Sequence, residues 1–302
     1  MTENVSLPAT EETTVRFKGL DCWQPSIILE TMWEAQLAAV AAIRPALPAI
    51  EAAAAASVTR LSAGGRLVYS GAGTSGRIGV QDGAELSPTF NWPRDRLVLL
   101  MAGGDKAFTQ AVENAEDDFA AGEAAITANK VGADDIVIGI AASGSTPYTL
   151  GCLRAGNAAG ALTIAVANSA DGSILREALH PILVETGAEV IAGSTRMKAG
   201  TAQKVVLNLL SSLIMVRMGR VHDGLMVDMV ATNEKLRRRA VRMLREITGV
   251  SLEAAQTALA ASLGRVKTAV VLLETGLAPE AADAALALHG GSLRATLAAL
   301  RS

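Results

Sequence analysis

The chain has 302 residues, half of them hydrophobic and 3% aromatic, with 27 basic and 30 acidic side chains giving a net charge of −3. That length supports a sizeable core and up to two domains, and the faintly acidic balance excludes the basic face of a nucleic-acid-binding protein. Two distant cysteines, Cys22 and Cys152, exclude a disulfide scaffold and a zinc ribbon.

Residues 1–24 open with MTENVSLPATEETT, too polar and acidic for a signal or transit peptide, and read as an extension that is poorly ordered or draped over another part. From 25 to 62 the apolar spacing is helical, through Ile28, Leu29, Met32, Leu37, Val40 and Ile43, with an alanine-rich continuation at 52–56. An antiparallel helix pair here would cover a sheet or a partner subunit. A strand–loop–helix rhythm follows, with short unalternating apolar runs at 66–70, 97–102, 135–141, 162–167 and 181–185. Helical segments at 107–127 and 146–159 separate them. Runs of this kind are buried on both faces, which predicts an α/β fold with a five-stranded parallel, doubly wound, flavodoxin-like sheet. Its ligand crevice lies at the strand C-termini.

Three strand-end loops share one chemistry. Gly71-Ala-Gly-Thr-Ser-Gly76 leads into a helix from about Ser75 and offers Thr74 and Ser75. The loop at 140–147 offers Ser143, Ser145 and Thr146, and the segment 189–201 offers Ser194, Thr195, Arg196 and Lys198 before a long helix to about 218. Small residues admit a ligand to the backbone, and unpaired N–H groups with the helix dipole favour an anion. Any one loop reads equally well as an ordinary Ser/Thr helix cap. Three of them in one sheet, one bearing Arg and Lys, predict a phosphate-bearing ligand. GAGTSG also fits G-x-G-x-x-G, but the acid that a dinucleotide fold needs after the second strand, Asp105, arrives late behind a Gly-Gly pair.

The apolar run 205–216 carries Asn208, Ser211 and Ser212 and is too short to span a bilayer, so a soluble cytoplasmic protein is expected. Beyond His222 the chain turns helical, with one helix over 225–247 and short segments at 251–262, 264–275 and 279–288 before a final turn. Three regions follow: 1–24, a core domain over 25–247, and a small three-helix, ubiquitin-associated-like domain over 248–302.

His180, His222 and His289 are scattered, and no residue set has metal-ligand spacing. The acid–base candidates are Glu85, a charge among small and apolar neighbours, and the cluster Glu113, Glu116, Asp117 and Asp118, in which Glu113 and Glu116 share a helix face at i and i+3. On spacing alone that cluster reads first as a solvated surface, whereas Glu85 reads equally as a structural or a functional residue.

Four stretches, GAGTSGRIGVQDGAELSPTF, GIAASGSTPYT, GAEVIAGSTRMKAGTAQKVVLNLLSS and LMVDMVATNEKL, closely resemble the N-acetylmuramic acid 6-phosphate etherases of the sugar isomerase (SIS) superfamily. The resemblance runs from about 60 to 300. It implies a SIS-type sheet, a homodimer, and a lyase of cell-wall sugar recycling that acts without metal or redox cofactor. Its products are N-acetylglucosamine 6-phosphate and D-lactate. It implies two catalytic glutamates, Glu85 as proton donor to the leaving group and Glu116 as base. It places Ser143 and Thr146 in the phosphate loop with Ser145 nearby, and Thr74 and Ser75 along the sugar pocket. Arg196 and Lys198 fall inside the third motif, where an electrostatic role is expected. The N-terminal region departs from the family pattern: the usual Asn-rich N-x-E-D stretch is replaced by LETMWEAQLAAV, which bears on substrate preference if that stretch completes a partner's pocket. Related alternatives are a non-catalytic sugar-phosphate sensor and an aldose–ketose isomerase. A SIS-type transcription regulator would need a helix-turn-helix ahead of the sheet, and none is read there.

Overall fold

Short apolar runs become the strands β1 (Leu67–Gly71), β2 (Leu97–Met101), β3 (Ile136–Ala141), β4 (Leu162–Ala167) and β5 (His180–Leu183). They form one all-parallel sheet in the order β2-β1-β3-β4-β5. The computed structural model describes residues 8, 10–231 and 233–301, so residues 1–7 and 9 of the expected extension lie outside the described residues. The helices are α1 (Pro25–Ala41), α2 (Leu47–Ser62), α3 (Gly73–Phe90), α4 (Phe119–Ala128), α5 (Pro147–Ala158), α6 (Ser173–Glu177), α7 (Lys198–Arg217), α8 (Glu234–Thr248), α9 (Leu252–Ala261), α10 (Val266–Thr275), α11 (Pro279–Leu288) and α12 (Leu293–Arg301). Two compact units result: the described residues of Met1–Ala84 with Asp95–Ser211, and those of Glu85–Arg94 with Ser212–Ser302.

The first unit is a doubly wound sheet. On one face Val68, Val137 and Ala165 pack with Ile126 of α4, Cys152 and Leu153 of α5, and Ile174 of α6. On the other, α3 lies so close to the sheet that a methyl added to Gly83 would stand 2.8 Å from Leu99 and 3.3 Å from the Tyr69 ring. At the N-terminal ends of the two central strands, Arg66 and Asp135 form a fork. Asp135 accepts Arg66 Nη2–H at 2.7 Å, Arg66 Nε–H at 3.1 Å, and the backbone N–H groups of Arg66 and Gly132 at 2.9 Å each. Burial pulls the Asp135 pKa up, but the guanidinium and the two amides outweigh it and hold the carboxyl below its ordinary value.

Several boundaries differ from the sequence expectation. The helix expected over 107–127 is mostly irregular: a 3-10 turn at Asp105–Phe108, another at Ala115–Asp117, then α4. Asn114 sits in the left-handed region at φ 59°, and Asp118 accepts from Ala121 N–H to start α4, so Glu113 and Glu116 do not share a helix face. The helix expected from 225 starts only at Glu234, because Asp223 and Gly224 turn the chain at φ 47° and 78° and Asn233 caps α8 through Leu236 N–H. The final turn is a helix, α12. The apolar run 205–216, read as too short to span a bilayer, lies within a 20-residue helix, 198–217, that is long and apolar enough to cross a membrane. It is packed in protein, with Ala199, Ala202, Val206 and Leu207 fully buried. Of the N-terminal segment, residues 13–15, 17 and 18 line a shared cavity of about 350 Å³ with Glu189, Val190 and Ala192, as a draped segment would.

The second unit is held by an apolar centre of Val227, Met243, Leu244, Val266, Val270 and Leu297, among others. Arg220 knots its connecting segments: the guanidinium lies 5.0 Å over the Trp92 ring, donates to Phe90 O at 2.7 Å, and pairs with Asp228 at 2.9 Å, which also pairs with Lys267.

Because Asp135 is held ionised, its contribution is present above the unfolded-state carboxylate pKa of about 3.9 and is lost as the pH falls through the lower folded value. Asp135→Asn is expected to cost about 2–3 kcal/mol in urea denaturation at pH 7, and the two proteins converge in acid. A difference that is independent of pH contradicts this.

Candidate functional site

The hydroxyl-bearing loops follow the C-terminal ends of β1, β3 and β5: the first two are short turns into α3 and α5, and the third lies in a longer connection, residues 184–197, before α7. β1 ends at Gly71, and α3 begins two residues later, sooner than expected. Gly73 stands at φ 52°, and the backbones touch: a Cβ on Gly76 would lie 2.7 Å from Gly71 O. Only glycine allows this turn, and it sets Thr74 half-buried and Ser75 buried at the start of α3. Arg77, one turn on, donates through Nε to Ala107 O at 3.0 Å and Phe108 O at 3.2 Å, and through Nη2 to Gln110 O at 3.2 Å. It thereby fastens the irregular segment that leads to Glu116. The turn Ala115–Asp117 packs against α5, so exposed Glu116 is brought beside the helix that follows the second loop.

That second loop, Ser143–Thr146, is built around Gly144 at φ 72°, where a Cβ would stand 2.7 Å from Gly172 Cα. Ser143 Oγ accepts Ser145 N–H at 3.2 Å. Thr146 stands at the N-cap of α5 with its hydroxyl making no cap bond and Pro147 at the first helical position. The first-turn amides and the Thr146 hydroxyl are therefore available to an anion, among the described residues.

The third loop is different. Glu189, 1% exposed, accepts Lys198 N–H and Ala199 N–H at 2.9 Å each, so the start of α7 already holds a carboxylate of its own chain. Lys198 Nζ donates to Ala188 O at 2.9 Å; burial lowers its pKa, Glu189 partly restores it and Arg16 lowers it further. Arg196 is exposed. The α7 start nevertheless abuts the first loop: a Cβ on Gly200 would lie 3.5 Å from Thr74 Cγ2.

Glu85 is exposed on α3. Among the described residues, no group of three or more His, Cys, Asp or Glu is placed to hold a metal.

Sequence reasoning missed a buried polar cluster behind the edge. Gln203 Nε2 donates to Asn168 Oδ1 at 3.0 Å, and Asn168 Nδ2 donates to Val184 O at 3.0 Å. Gln203 Oε1 and Thr186 Oγ1 are buried without a partner among the described residues. Its signals were a lone amide after an apolar strand and another inside an apolar helix. Glu189, a lone acid between Ala188 and Val190, was equally visible.

A family model described as the SIS domain matches residues 108–213, and one described as the glucokinase regulatory protein N-terminal SIS domain matches 49–157. A Deinococcus radiodurans protein named N-acetylmuramic acid 6-phosphate etherase is 50% identical over 288 residues, 95% of this chain and 94% of its own. A Halalkalibacterium halodurans protein of the same name is 44% identical over 285 residues, 94% of this chain and 96% of its own. A solved phosphoheptose isomerase from Francisella tularensis covers 66% of this chain and 99% of its own at 21% identity and a TM-score of 0.45. With such identity carried along nearly the whole length, and with the glycine turns and helix starts of the resembling motifs in place, this chain belongs to the N-acetylmuramic acid 6-phosphate etherase family.

Proposed function

We propose that this chain is a carbon–oxygen lyase that cleaves the D-lactyl ether of N-acetylmuramic acid 6-phosphate, giving N-acetylglucosamine 6-phosphate and D-lactate in recycling of cell-wall sugars. Membership of the family at 50% identity carries the reading. An ether is a poor leaving group, but this one lies β to the aldehyde carbon of the open-chain sugar. Taking the C2 proton gives an enolate that expels the lactyl oxygen from C3, and that oxygen takes a proton as it leaves. Water then adds at C3 of the unsaturated aldehyde. The steps need a held phosphate and positioned acid and base groups.

The uncapped start of α5, with Ser143, Ser145 and Thr146, receives the phosphate, because hydroxyls and amides there donate to an anion on the positive end of a helix. Thr74 and Ser75 line the sugar. Glu85 protonates the departing lactyl oxygen, and Glu116 handles the C2 proton or the water. Lys198 and Arg196 supply positive charge near the third loop, a role narrowed by the bond that ties Lys198 to Ala188 O. The protein works in the cytoplasm as a homodimer, without nucleic acid or membrane. Leu29, Trp33, Leu37 and Val40 form one stripe of α1 and are 68%, 62%, 52% and 44% exposed, an apolar face that a second copy would cover. That stripe is the stretch in which the sequence departs from the family pattern.

The purified chain is expected to release D-lactate from N-acetylmuramic acid 6-phosphate. Glu85→Gln and Glu116→Gln each lower kcat about 10²–10⁴-fold with KM little changed, as loss of a proton-transfer group does. Binding of the sugar phosphate without lactate release identifies a sensor instead. Thr146→Val raises KM about tenfold, the loss of one hydrogen bond to a charged group. Trp33→Glu shifts the sedimenting species from dimer to monomer; a wild-type chain that is already monomeric contradicts the homodimer.

A further inference from the structure

Asp82 is a buried carboxylate that the chemistry above does not use. It lies on α3 and is 7% exposed. Its oxygens accept the Tyr69 hydroxyl of β1 at 2.9 Å, Asn208 Nδ2 of α7 at 2.6 Å and the Ser211 hydroxyl of α7 at 3.3 Å. Asn208 Oδ1 in turn accepts from Lys204 Nζ. The titratable groups that face the carboxyl are thus Tyr69 and Lys204. Burial raises the Asp82 pKa against the pull of its donors and of Lys204, and burial also raises that of Tyr69.

The same two helices touch at their starts, where a Cβ on Gly200 would stand 3.4 Å from Ile78 Cδ1 and 3.5 Å from Thr74 Cγ2. Contacts therefore advance together along both chains, 74 and 78 against 200, then 82 against 208 and 211. α3 and α7 run side by side in the same direction. The upper contact is apolar and built on a glycine, which permits sliding; the lower is a set of directional bonds, which does not. A well-packed apolar replacement for a buried carboxylate is often as stable or more so, so stability alone does not account for Asp82.

We propose that Asp82 is a positioning residue for the etherase reaction: by locking α3 to α7 and β1 it fixes the axial position and rotation of α3, and with them Glu85, one helical turn further along the same helix. This rests on the etherase reading. Asp82→Asn keeps the shape but replaces one of the two acceptor oxygens by an NH2 donor, so the side chain no longer accepts from both α7 and the Tyr69 hydroxyl.

The test is steady-state lactate release by the full-length chain, with thermal melts to confirm that each variant is folded at the assay temperature. Asp82→Asn is expected to lower kcat at least tenfold with KM within about threefold, a split that a general loss of fold does not produce. The exchange D82N with N208D, which puts the carboxylate on α7 facing an amide on α3, is expected to return kcat to within about threefold of wild type, while N208D alone does not. Should D82N fail to fold, Asn208→Ala, which removes one donor to Asp82 together with the acceptor of Lys204, is expected to lower kcat at least threefold at unchanged KM. Wild-type kcat in the folded variants, or no recovery in the exchange, overturns the proposal while leaving the etherase reading standing. A wild-type chain that releases no lactate overturns both.

Discussion

The Arg66–Asp135 fork is the interaction on which the rest depends. β1 and β3 are the neighbouring central strands, and a parallel pair has no hairpin turn to set its register. One carboxylate that holds a guanidinium and the amides of Arg66 and Gly132 supplies the setting instead. With Leu67 opposite Ile136 at the start, Gly71 falls opposite Ile140 at the end. The two glycine loops then emerge at one level of the same edge, and the helix starts that follow them point their unpaired amides outward from that edge.

The helix starts are not equivalent. At α5 the chain supplies a proline at the first helical position and leaves the Thr146 hydroxyl uncommitted. At α7 it buries Glu189 against the first two amides. An anion arriving at the edge finds donors at the former and a carboxylate at the latter, so the electrostatics favour an anion at the start of α5 over one at the start of α7. The three loops share a sequence chemistry and differ in which partner the fold has already provided.

Much of this was legible in the sequence. The five strands lie within a residue or two of the expected runs because each is a short apolar stretch, buried throughout in β1, β3 and β4 and partly exposed in the edge strands β2 and β5. The family was legible because its motifs are long and are themselves these turns. The segment around Glu113 and Glu116 was not. Its charges and alanines favour a helix, and only tertiary context, Arg77 pulling on Ala107, Phe108 and Gln110 and Asn114 in the left-handed region, makes it irregular. The non-helical stretch before Glu234 was hidden likewise: it reads as one apolar run, and only in the fold do Val227, Met229 and Ala231 turn into the core at every second position, as an extended chain does. Glu189 was visible as a lone acid between Ala188 and Val190, whereas nothing around Asp82, between Gln81 and Gly83, marks it as buried. Their partners lie 9 to 129 residues away along the chain, which no local pattern reveals.

The central claim is that the ether is broken by elimination through the C2 carbanion and not by direct displacement at C3 or at the lactyl carbon. Turnover of N-acetylmuramic acid 6-phosphate by the purified chain in deuterated water, followed by mass and proton-resonance analysis of the sugar product, tests it most directly. Elimination and rehydration place solvent deuterium on C2 of N-acetylglucosamine 6-phosphate. Lactate released with the C2 hydrogen fully retained would contradict the account.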